Sequence, residues 1–559
     1  MLIKPIRTNF KRINIRNYSI KHQKRSRIID ILLFSSASLG LYALYSHFSH
    51  NQSLPLISTN SFTIPTKNKD GIPTITTIKK LSSNAINQLL RANESATSIN
   101  RPGSSLIKEY HNNSISSNNP IEDRSSQIFL ERDFKPKDIS NFCRKGDLYF
   151  FCVFDGHSGF KTSDLLSKSL IPFTVLHLSS LFNNIQPTSS NYFDNLKNKF
   201  LPINFSNPLD SQPKFVIQAI KNAFISLDNA LLQAPINTLN QLPKTISPPK
   251  SPDESLLSVL SGSCALMAYF DELRQDLYIA LTGDSRAVAG YYENGKWRVE
   301  VLTNDQTGKS KSEIQRIQSE HPSAESPYVI QRGRVLGGLE PTRAFGDARY
   351  KWSAPLQSQL SNALLPPSYP IRGPPRGLLT PPYVTAEPEV THRKIDKSNK
   401  PQFLILATDG LWDRLSNEEA VALVGKALDG TGPLGGSKGK SIMSKSELLE
   451  NVVSIKGDKQ IQKPIQSSNH NQTVSESDES QYIFNESNLS TLLIKNALGG
   501  AHENQVSALL SIPAPHSRRF FDDTTVSVII LNDEDNKFQN LNIKKQIANV
   551  QKLQDNLKM

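Results

Sequence analysis

The feature that most constrains the fold is an apolar run that ends directly in an acidic residue. Leu148–Phe154 contains only apolar and aromatic side chains, and Asp155, Gly156 and His157 follow at once. Such a run is typical of a buried β-strand that delivers a carboxylate to the edge of a sheet. Because Asp-Gly after an apolar run is also a common turn, this motif by itself leaves a turn and a metal ligand open as interpretations.

The same pattern recurs later in the chain. Residues 403–408 lead into Asp409, residues 520–521 lead into Asp522, and the acidic pair at 122–123 lies upstream. Acidic side chains from several strand ends can converge on one hard cation, and Mg²⁺ and Mn²⁺ prefer carboxylate, carbonyl and water oxygens. The three cysteines lack the spacing of a zinc site or of a disulfide framework.

The positive charge of the chain is concentrated at its N-terminus. Of a net charge of +13, residues 1–27 supply nine Lys and Arg side chains and no acidic one. This composition is typical of a mitochondrial presequence. The remaining residues show no stripe of basic and aromatic side chains, so we expect no nucleic-acid partner.

Residues 28–48 are apolar apart from Asp30, His47 and several serines, and are just long enough to cross a bilayer. They are interpreted either as a single transmembrane anchor or as the apolar part of a cleaved signal. An anchored chain whose basic N-terminus stays in the matrix would place the body in the intermembrane space. Cleavage without an anchor would place it in the matrix.

Composition also divides the rest of the chain. Residues 49–100 are rich in Ser, Thr, Asn and Pro and predict a flexible linker. A folded body is expected over residues 101–533, followed by a charged tail at 534–559. Polar stretches within the body predict insertions at about residues 183–207, 235–254 and 430–480.

The body has the pattern of an α+β fold. Residues 263–281 and 288–302 each read as a β-hairpin, whereas residues 161–177 and 215–231 have helical periodicity. Hairpins with helices placed between them favour two packed antiparallel β-sheets flanked by helices.

Seven motifs resemble those of metal-dependent type 2C serine/threonine protein phosphatases, and they occur in the order of that family. Residues 118–124, 320–352 and 381–391 are most similar to the mitochondrial pyruvate dehydrogenase phosphatase branch. The resemblance covers most of the body and implies an α-β-β-α sandwich. The motifs are IED (121–123), FDGHSG (154–159), SGSCA (261–265), TGDSRAV (282–288), RAFGD (343–347), ATDGLWD (407–413) and DDTTV (522–526).

The resemblance also implies a metal centre of two Mg²⁺ or Mn²⁺ ions, with Asp155 bridging them. Asp284 and Asp413 would border a third metal position. The oxygen ligands of the two main ions would come from Glu122, Asp155, the carbonyl of Gly156, Asp409 and Asp522.

Other residues receive roles from the same resemblance. His157 would act as the general acid that protonates the leaving serine oxygen, and Asp123 would orient the attacking water. Asp347 is expected to be a structural hydrogen-bonding residue rather than a ligand. Many family members carry a phosphate-binding arginine four residues before the motif glutamate, where this chain has Asn118. The pyruvate dehydrogenase phosphatase branch resembles this chain in having no arginine there, so the resemblance implies no phosphate-binding arginine at that position.

The resemblance implies a phosphatase that dephosphorylates, and so reactivates, the E1 component of the pyruvate dehydrogenase complex. The implied partners are phosphorylated E1, a lipoyl-bearing subunit of the same complex and, through the N-terminal segment, a membrane. Two alternatives stay open: a mitochondrial phosphatase of this type with another target, and an inactive relative that serves as a scaffold.

Overall fold

The structure is a computed structural model that describes nine segments of the chain. The predicted presequence (1–27), membrane span (28–48), C-terminal tail (534–559) and first insertion (183–207) lie outside these segments. Within them, no helix combines the length and apolar character needed to cross a membrane. The described segments are residues 61–67, 72–99, 105–130, 146–182, 212–243, 249–395, 399–429, 442–454 and 481–532.

The elements are numbered in chain order over the described residues. The strands are β1 Ser61–Lys67, β2 Pro73–Lys79, β3 Ser95–Ser98, β4 Ile107–Ile115, β5 Arg124–Leu130, β6 Leu148–Phe154, β7 Gly156–His157, β8 Gly262–Ser263, β9 Ala265–Asp271, β10 Asp276–Thr282, β11 Arg286–Glu293, β12 Lys296–Val301, β13 Ile330–Gln331, β14 Arg334–Val335, β15 Phe345–Gly346, β16 Glu389–Lys394, β17 Phe403–Ala407, β18 Ile442–Ser444, β19 Val452–Ser454, β20 Gln481–Ile483 and β21 Thr524–Leu531. The α-helices are α1 Ser83–Arg91, α2 Lys161–Phe182, α3 Pro213–Gln241, α4 Glu254–Leu260, α5 Lys311–Glu320, α6 Ala348–Lys351, α7 Ala354–Leu364, α8 Asp409–Trp412, α9 Asn417–Leu428, α10 Lys445–Leu449, α11 Leu489–Ala497 and α12 Glu503–Ser511. Short 3₁₀ turns occur at Ser326–Tyr328 and Ser517–Arg519.

Two sheets form the centre of the fold. One has five strands in the order β16-β10-β9-β6-β5, and the other has seven in the order β19-β12-β11-β17-β21-β4-β3. Neighbouring strands are antiparallel except for β12 and β19. The predicted hairpins are confirmed as β9–β10 and β11–β12.

The core is arranged in layers because alternate residues of a strand face opposite sides of its sheet. On β6, Phe151 packs between the two sheets, whereas Phe150 and Cys152 pack on the outer side with residues of α2 and α3. Helices α9 and α11 cover the outer face of the seven-stranded sheet. The expected α-β-β-α sandwich, and with it the α+β class, is confirmed.

The linker prediction for residues 49–100 is wrong for residues 61–67 and for most of residues 73–98, which form β1, β2, α1 and β3. β1 and β2 pair as a hairpin, and β3 is the edge strand of the seven-stranded sheet. Ile64 and Ile78 pack against Ile512, and Leu90 of α1 belongs to the core beneath the seven-stranded sheet. The polar composition hides this because each short element buries only a few apolar side chains.

Two predicted insertions also contain regular structure. Helix α3 continues through Pro235 to Gln241, because Ile236 and Leu239 extend the face that packs on the outer core. Within residues 430–480, the segment 442–454 forms β18, α10 and β19, and β19 joins the edge of the seven-stranded sheet beside β12. The rest of that stretch lies outside the described residues.

Candidate active site

Three aspartates converge where strands of both sheets end. Asp155 follows β6, Asp284 lies two residues after β10, and Asp409 follows β17 as the first residue of α8. Each offers a carboxylate oxygen, and these oxygens lie within 4.8 Å of one another. Because β6 and β10 belong to one sheet and β17 to the other, the cluster depends on the packing of the whole sandwich.

The cluster concentrates negative charge in a partly buried position. Burial and the charges of Asp409 and Asp123 raise the pKa of Asp155 well above its usual value, and burial and Asp284 do the same for Asp409. Burial raises the pKa of Asp284 to about 6, although the Cys264 thiol donates a hydrogen bond to it at 3.2 Å. Carboxylates that repel one another in a buried site fit a hard divalent cation, which would favour their ionised forms.

Two glycines allow the acidic loops to approach each other. A Cβ atom on Gly156 would lie 2.2 Å from the carbonyl oxygen of Glu122, and one on Gly410 would lie 2.3 Å from that of Asp523. Any larger residue would therefore force these loops apart. The glycines place the chain at Glu122 beside Asp155, and the chain at Asp523 beside Asp409.

Glu122 and Asp522 lie on these adjacent loops but do not join the three-aspartate cluster. Glu122 Oε1 accepts a hydrogen bond from the Gly159 N–H at 2.7 Å. Asp522 forms an ion pair with Arg518. The structure thus brings together three of the predicted ligands and leaves these two at the periphery.

Asp123 lies behind the cluster. Its Oδ2 accepts a hydrogen bond from the Thr408 hydroxyl at 2.9 Å, whereas its buried Oδ1 has no hydrogen-bond partner within the described segments. Burial and the nearby charge of Asp523 raise the pKa of Asp123 to about 7. Interactions with Thr525, Thr408 and the Gly156 backbone favour the ionised carboxylate but do not outweigh this rise.

Asp523 is a structural residue of the site that sequence reasoning missed. Its Oδ1 accepts backbone N–H bonds from Ser117 at 2.6 Å and Asn118 at 2.9 Å, and its Oδ2 accepts one from Glu122 at 2.7 Å. It holds the loop before β5 against the start of β21. The sequence signal that could have identified Asp523 is its position next to Asp522 in the DDTTV motif.

His157 is held by the carboxylate of Asp347. His157 Nε2 lies 2.7 Å from Asp347 Oδ2. Burial lowers the pKa of His157, but the charge and hydrogen bond of Asp347, with the charges of Asp284 and Glu122, outweigh burial and raise it. The expected hydrogen-bonding role of Asp347 is confirmed, and its partner is His157.

Asp413 and Asn118 complete the set of predicted positions. Asp413 is exposed, lies one turn after Asp409, and contributes to the raised pKa of that residue. The side-chain amide of Asn118 donates a hydrogen bond to Asp523 Oδ2 at 3.1 Å. Position 118 thus contributes a structural hydrogen bond and no positive charge.

Comparison with known proteins gives consistent matches. The family model described as "Protein phosphatase 2C" matches residues 122–446. The mitochondrial pyruvate dehydrogenase (acetyl-transferring)-phosphatase 1 of Saccharomyces cerevisiae is 34% identical over 534 residues, which cover 91% of this chain and 86% of that protein. A protein phosphatase 2C homologue of Schizosaccharomyces pombe is 33% identical over 450 residues, and this alignment covers 80% of this chain and 85% of that protein.

A human relative extends the comparison. The human mitochondrial pyruvate dehydrogenase (acetyl-transferring)-phosphatase 1 is 28% identical over 80% of this chain and 82% of that protein. The family match spans more than half of the chain and includes the converging aspartates. The chain therefore belongs to the protein phosphatase 2C family and is a protein serine/threonine phosphatase.

Proposed function

We propose that this chain is a mitochondrial, metal-dependent phosphatase that removes phosphate from phosphoserine on the E1 component of the pyruvate dehydrogenase complex and so reactivates it. The observation that carries the substrate assignment is the extent of similarity to the S. cerevisiae phosphatase, which spans nearly the whole of both chains. If the similarity were confined to the catalytic segment, it would support phosphatase activity but not E1 as the substrate.

The proposed metal centre holds two divalent ions, Mg²⁺ or Mn²⁺, with a third position at Asp284 and Asp413. The convergence of Asp155, Asp284 and Asp409 supports it. Divalent cations bound there would lower the pKa of a water molecule and neutralise charge on the phosphoryl oxygens. The proposed ligands of the two main ions are Glu122, Asp155, the Gly156 carbonyl, Asp409 and Asp522.

Two side chains of the protein are assigned to proton transfer and water orientation. Asp123 orients the attacking water through Oδ1, the oxygen that has no partner in the described part of the chain. His157 donates a proton to the serine oxygen as that oxygen leaves. Because Nε2 faces Asp347, the donated proton is assigned to Nδ1.

The location proposed for the protein is the mitochondrion. The acid-free basic segment at residues 1–27 and the printed names of the S. cerevisiae and human relatives support it. Residues 28–48 are proposed either to attach the protein to the inner membrane or to be removed with the presequence, which would leave the body in the matrix. A lipoyl-bearing subunit is proposed as a docking partner. Carbonate extraction of mitochondria separates an anchored protein from a matrix protein.

A genetic experiment tests the substrate. Deleting the gene should increase the phosphorylated fraction of E1 in isolated mitochondria, and wild-type protein should reverse this increase, whereas the Asp155→Asn variant should not. Unchanged E1 with accumulation of another phosphoprotein would support the same chemistry on a different target. Unchanged phosphorylation throughout, with metal binding intact, would support a scaffold.

A further inference from the structure

The position from which many relatives supply a phosphate-binding arginine carries no charge in this chain. Asn118 occupies it, and both its backbone N–H and its side-chain amide donate to Asp523. A phosphoryl group carries negative charge, and a site lined by carboxylates repels it unless positive groups are present. A positive side chain on another loop near the acidic residues would offset this repulsion.

Arg518 meets this requirement. It lies on the 3₁₀ turn Ser517–Arg519 and forms an ion pair with Asp522, four residues further along the chain. Its charge also favours the ionised forms of Glu122, Asp155 and Asp409.

The Arg518 side chain is accessible as well as close to the acids. It is 41% exposed, compared with 28% for Asp522. A guanidinium has five N–H donors in a planar fork, so an ion pair with one carboxylate leaves donors for a second anion. Arg518 can therefore contact Asp522 and a bound phosphoryl group at the same time.

The loop of Arg518 is fixed to the loop of Asn118. The Ser517 hydroxyl donates to the carbonyl oxygen of Ser117, and Asp523 accepts hydrogen bonds from both Ser117 and Asn118. The two loops thus form one hydrogen-bonded unit. Arg518 and position 118 are therefore held on adjacent, hydrogen-bonded loops.

We propose that Arg518 binds the phosphoryl oxygens of the substrate and supplies the positive charge that Asn118 lacks. The proposal rests on the proposed metal-dependent phosphatase activity. It makes Arg518 a catalytic residue, because its guanidinium touches the reacting group. A charge-assisted hydrogen bond of this kind corresponds to roughly a 10- to 100-fold effect on phosphate binding.

The test compares three variants of the full chain on a phosphoserine peptide, with inorganic phosphate as a competing inhibitor. Arg518→Ala should raise KM and the phosphate inhibition constant by about 10- to 100-fold each. Arg518→Lys keeps the charge without the planar fork and should give an intermediate effect. The matched control is Arg519→Ala, because the neighbouring Arg519 donates to the carbonyl oxygen of Pro65 and not to the site.

A second readout separates phosphate binding from neutralisation of the carboxylates. If Arg518 binds phosphate, the Mg²⁺ concentration for half-maximal activity should not rise in Arg518→Ala, while phosphate inhibition weakens. An unchanged phosphate inhibition constant with tighter Mg²⁺ binding would overturn the proposal. If Arg518→Ala fails to fold, an unchanged inhibition constant in Arg518→Lys, together with an unchanged KM, would overturn it instead. A wild-type chain that hydrolyses no phosphoester would contradict the proposed function itself.

Discussion

His157 Nε2 and Asp347 Oδ2 lie 2.7 Å apart across Gly262, a residue whose missing side chain makes the contact possible. A Cβ atom on Gly262 would lie 2.1 Å from the histidine nitrogen and 2.3 Å from the aspartate oxygen. Asp347 itself has φ +48°, in the left-handed region, at the start of α6. The backbone is therefore arranged to hold an imidazole against a carboxylate beside the acidic cluster.

Replacing the carboxylate that holds His157 should slow the release of poor leaving groups. Asp347→Asn removes the negative charge that orients and favours the protonated imidazole, so kcat on a phosphoserine peptide should fall by roughly 10- to 100-fold. Hydrolysis of p-nitrophenyl phosphate should change much less, because nitrophenolate leaves without a proton. Steady-state kinetics on the two substrates provides the measurement.

A second histidine–aspartate pair serves as the control for this experiment. His392 Nε2 lies 2.9 Å from Asp276 Oδ1, and the two residues belong to the neighbouring strands β16 and β10. Asp276→Asn should leave the ratio of the two substrate rates unchanged. Equal losses on both substrates in Asp347→Asn would exclude a positioning role for Asp347 in proton donation.

Removing one carboxylate of the cluster should stabilise the metal-free protein while it abolishes activity. Asp155→Asn relieves repulsion with Asp409, so the Tm in EDTA should rise by about 2–4 °C, and Mg²⁺ should stabilise the variant less than the wild type. Thermal melts with EDTA and with Mg²⁺ measure both effects. Asp164→Asn, which removes the carboxylate of a surface ion pair with Lys168, is the control. A Tm of Asp155→Asn in EDTA below that of the wild type would contradict the electrostatic account.

The buried pair of Glu313 and Arg343 should make stability sensitive to acid. Burial raises the pKa of Glu313, but the hydrogen bonds and charges of Arg343 and Arg316 outweigh burial and lower it to about 2. A carboxyl whose pKa is lowered in the folded state contributes full stability above its unfolded pKa of 4.5 and loses it as the pH falls toward about 2. Glu313→Gln should cost about 3–5 kcal/mol at neutral pH.

Urea unfolding at about pH 7 and about pH 3.5 measures this contribution. The difference between wild type and Glu313→Gln should shrink at the lower pH, because wild-type Glu313 then loses part of its stabilising effect. Glu320→Gln is the control, since Glu320 is 48% exposed in its pair with Arg316. A difference that stays constant over this range would contradict the assigned pKa.

The N-terminal elements should be part of the stable catalytic body. Deleting residues 1–60 leaves every described element in place, whereas deleting residues 1–100 also removes α1 and β3 and exposes the core that Ile86 and Leu90 cover. Each of these side chains contributes about 1.5–3 kcal/mol when buried. The longer deletion should lower the Tm by at least about 5 °C, as measured by calorimetry, and equal melting of the two proteins would contradict this assignment.

The sandwich and the placement of Asp155, Asp284 and Asp409 near strand ends could be predicted from sequence because their signals are local. The run Leu148–Phe154 fills both layers of the core, and the acidic motifs stand directly at strand ends. The order of the family motifs along the chain predicted the α-β-β-α sandwich. The N-terminal elements escaped prediction because β1, β2 and β3 are short and polar, and their stability comes from contacts distant in sequence, such as Ile64 with Ile512.

The hydrogen bonds around the site could not be predicted for the same reason. Asp347 is separated from His157 by 190 positions in sequence. Asp523 is separated by about 400 positions from the loop that it binds. No periodicity links such residues, and only the closure of β21 onto β4 brings the start of β21 to the loop before β5.

The measurement that tests the central claim most directly is phosphate release from phosphorylated pyruvate dehydrogenase E1 by the purified chain. It is carried out with Mg²⁺, with Mn²⁺ and with EDTA, and a phosphoserine peptide is run in parallel. The account predicts release from E1 with either ion and none in EDTA. Release in EDTA, or release from the peptide but not from E1, would contradict it.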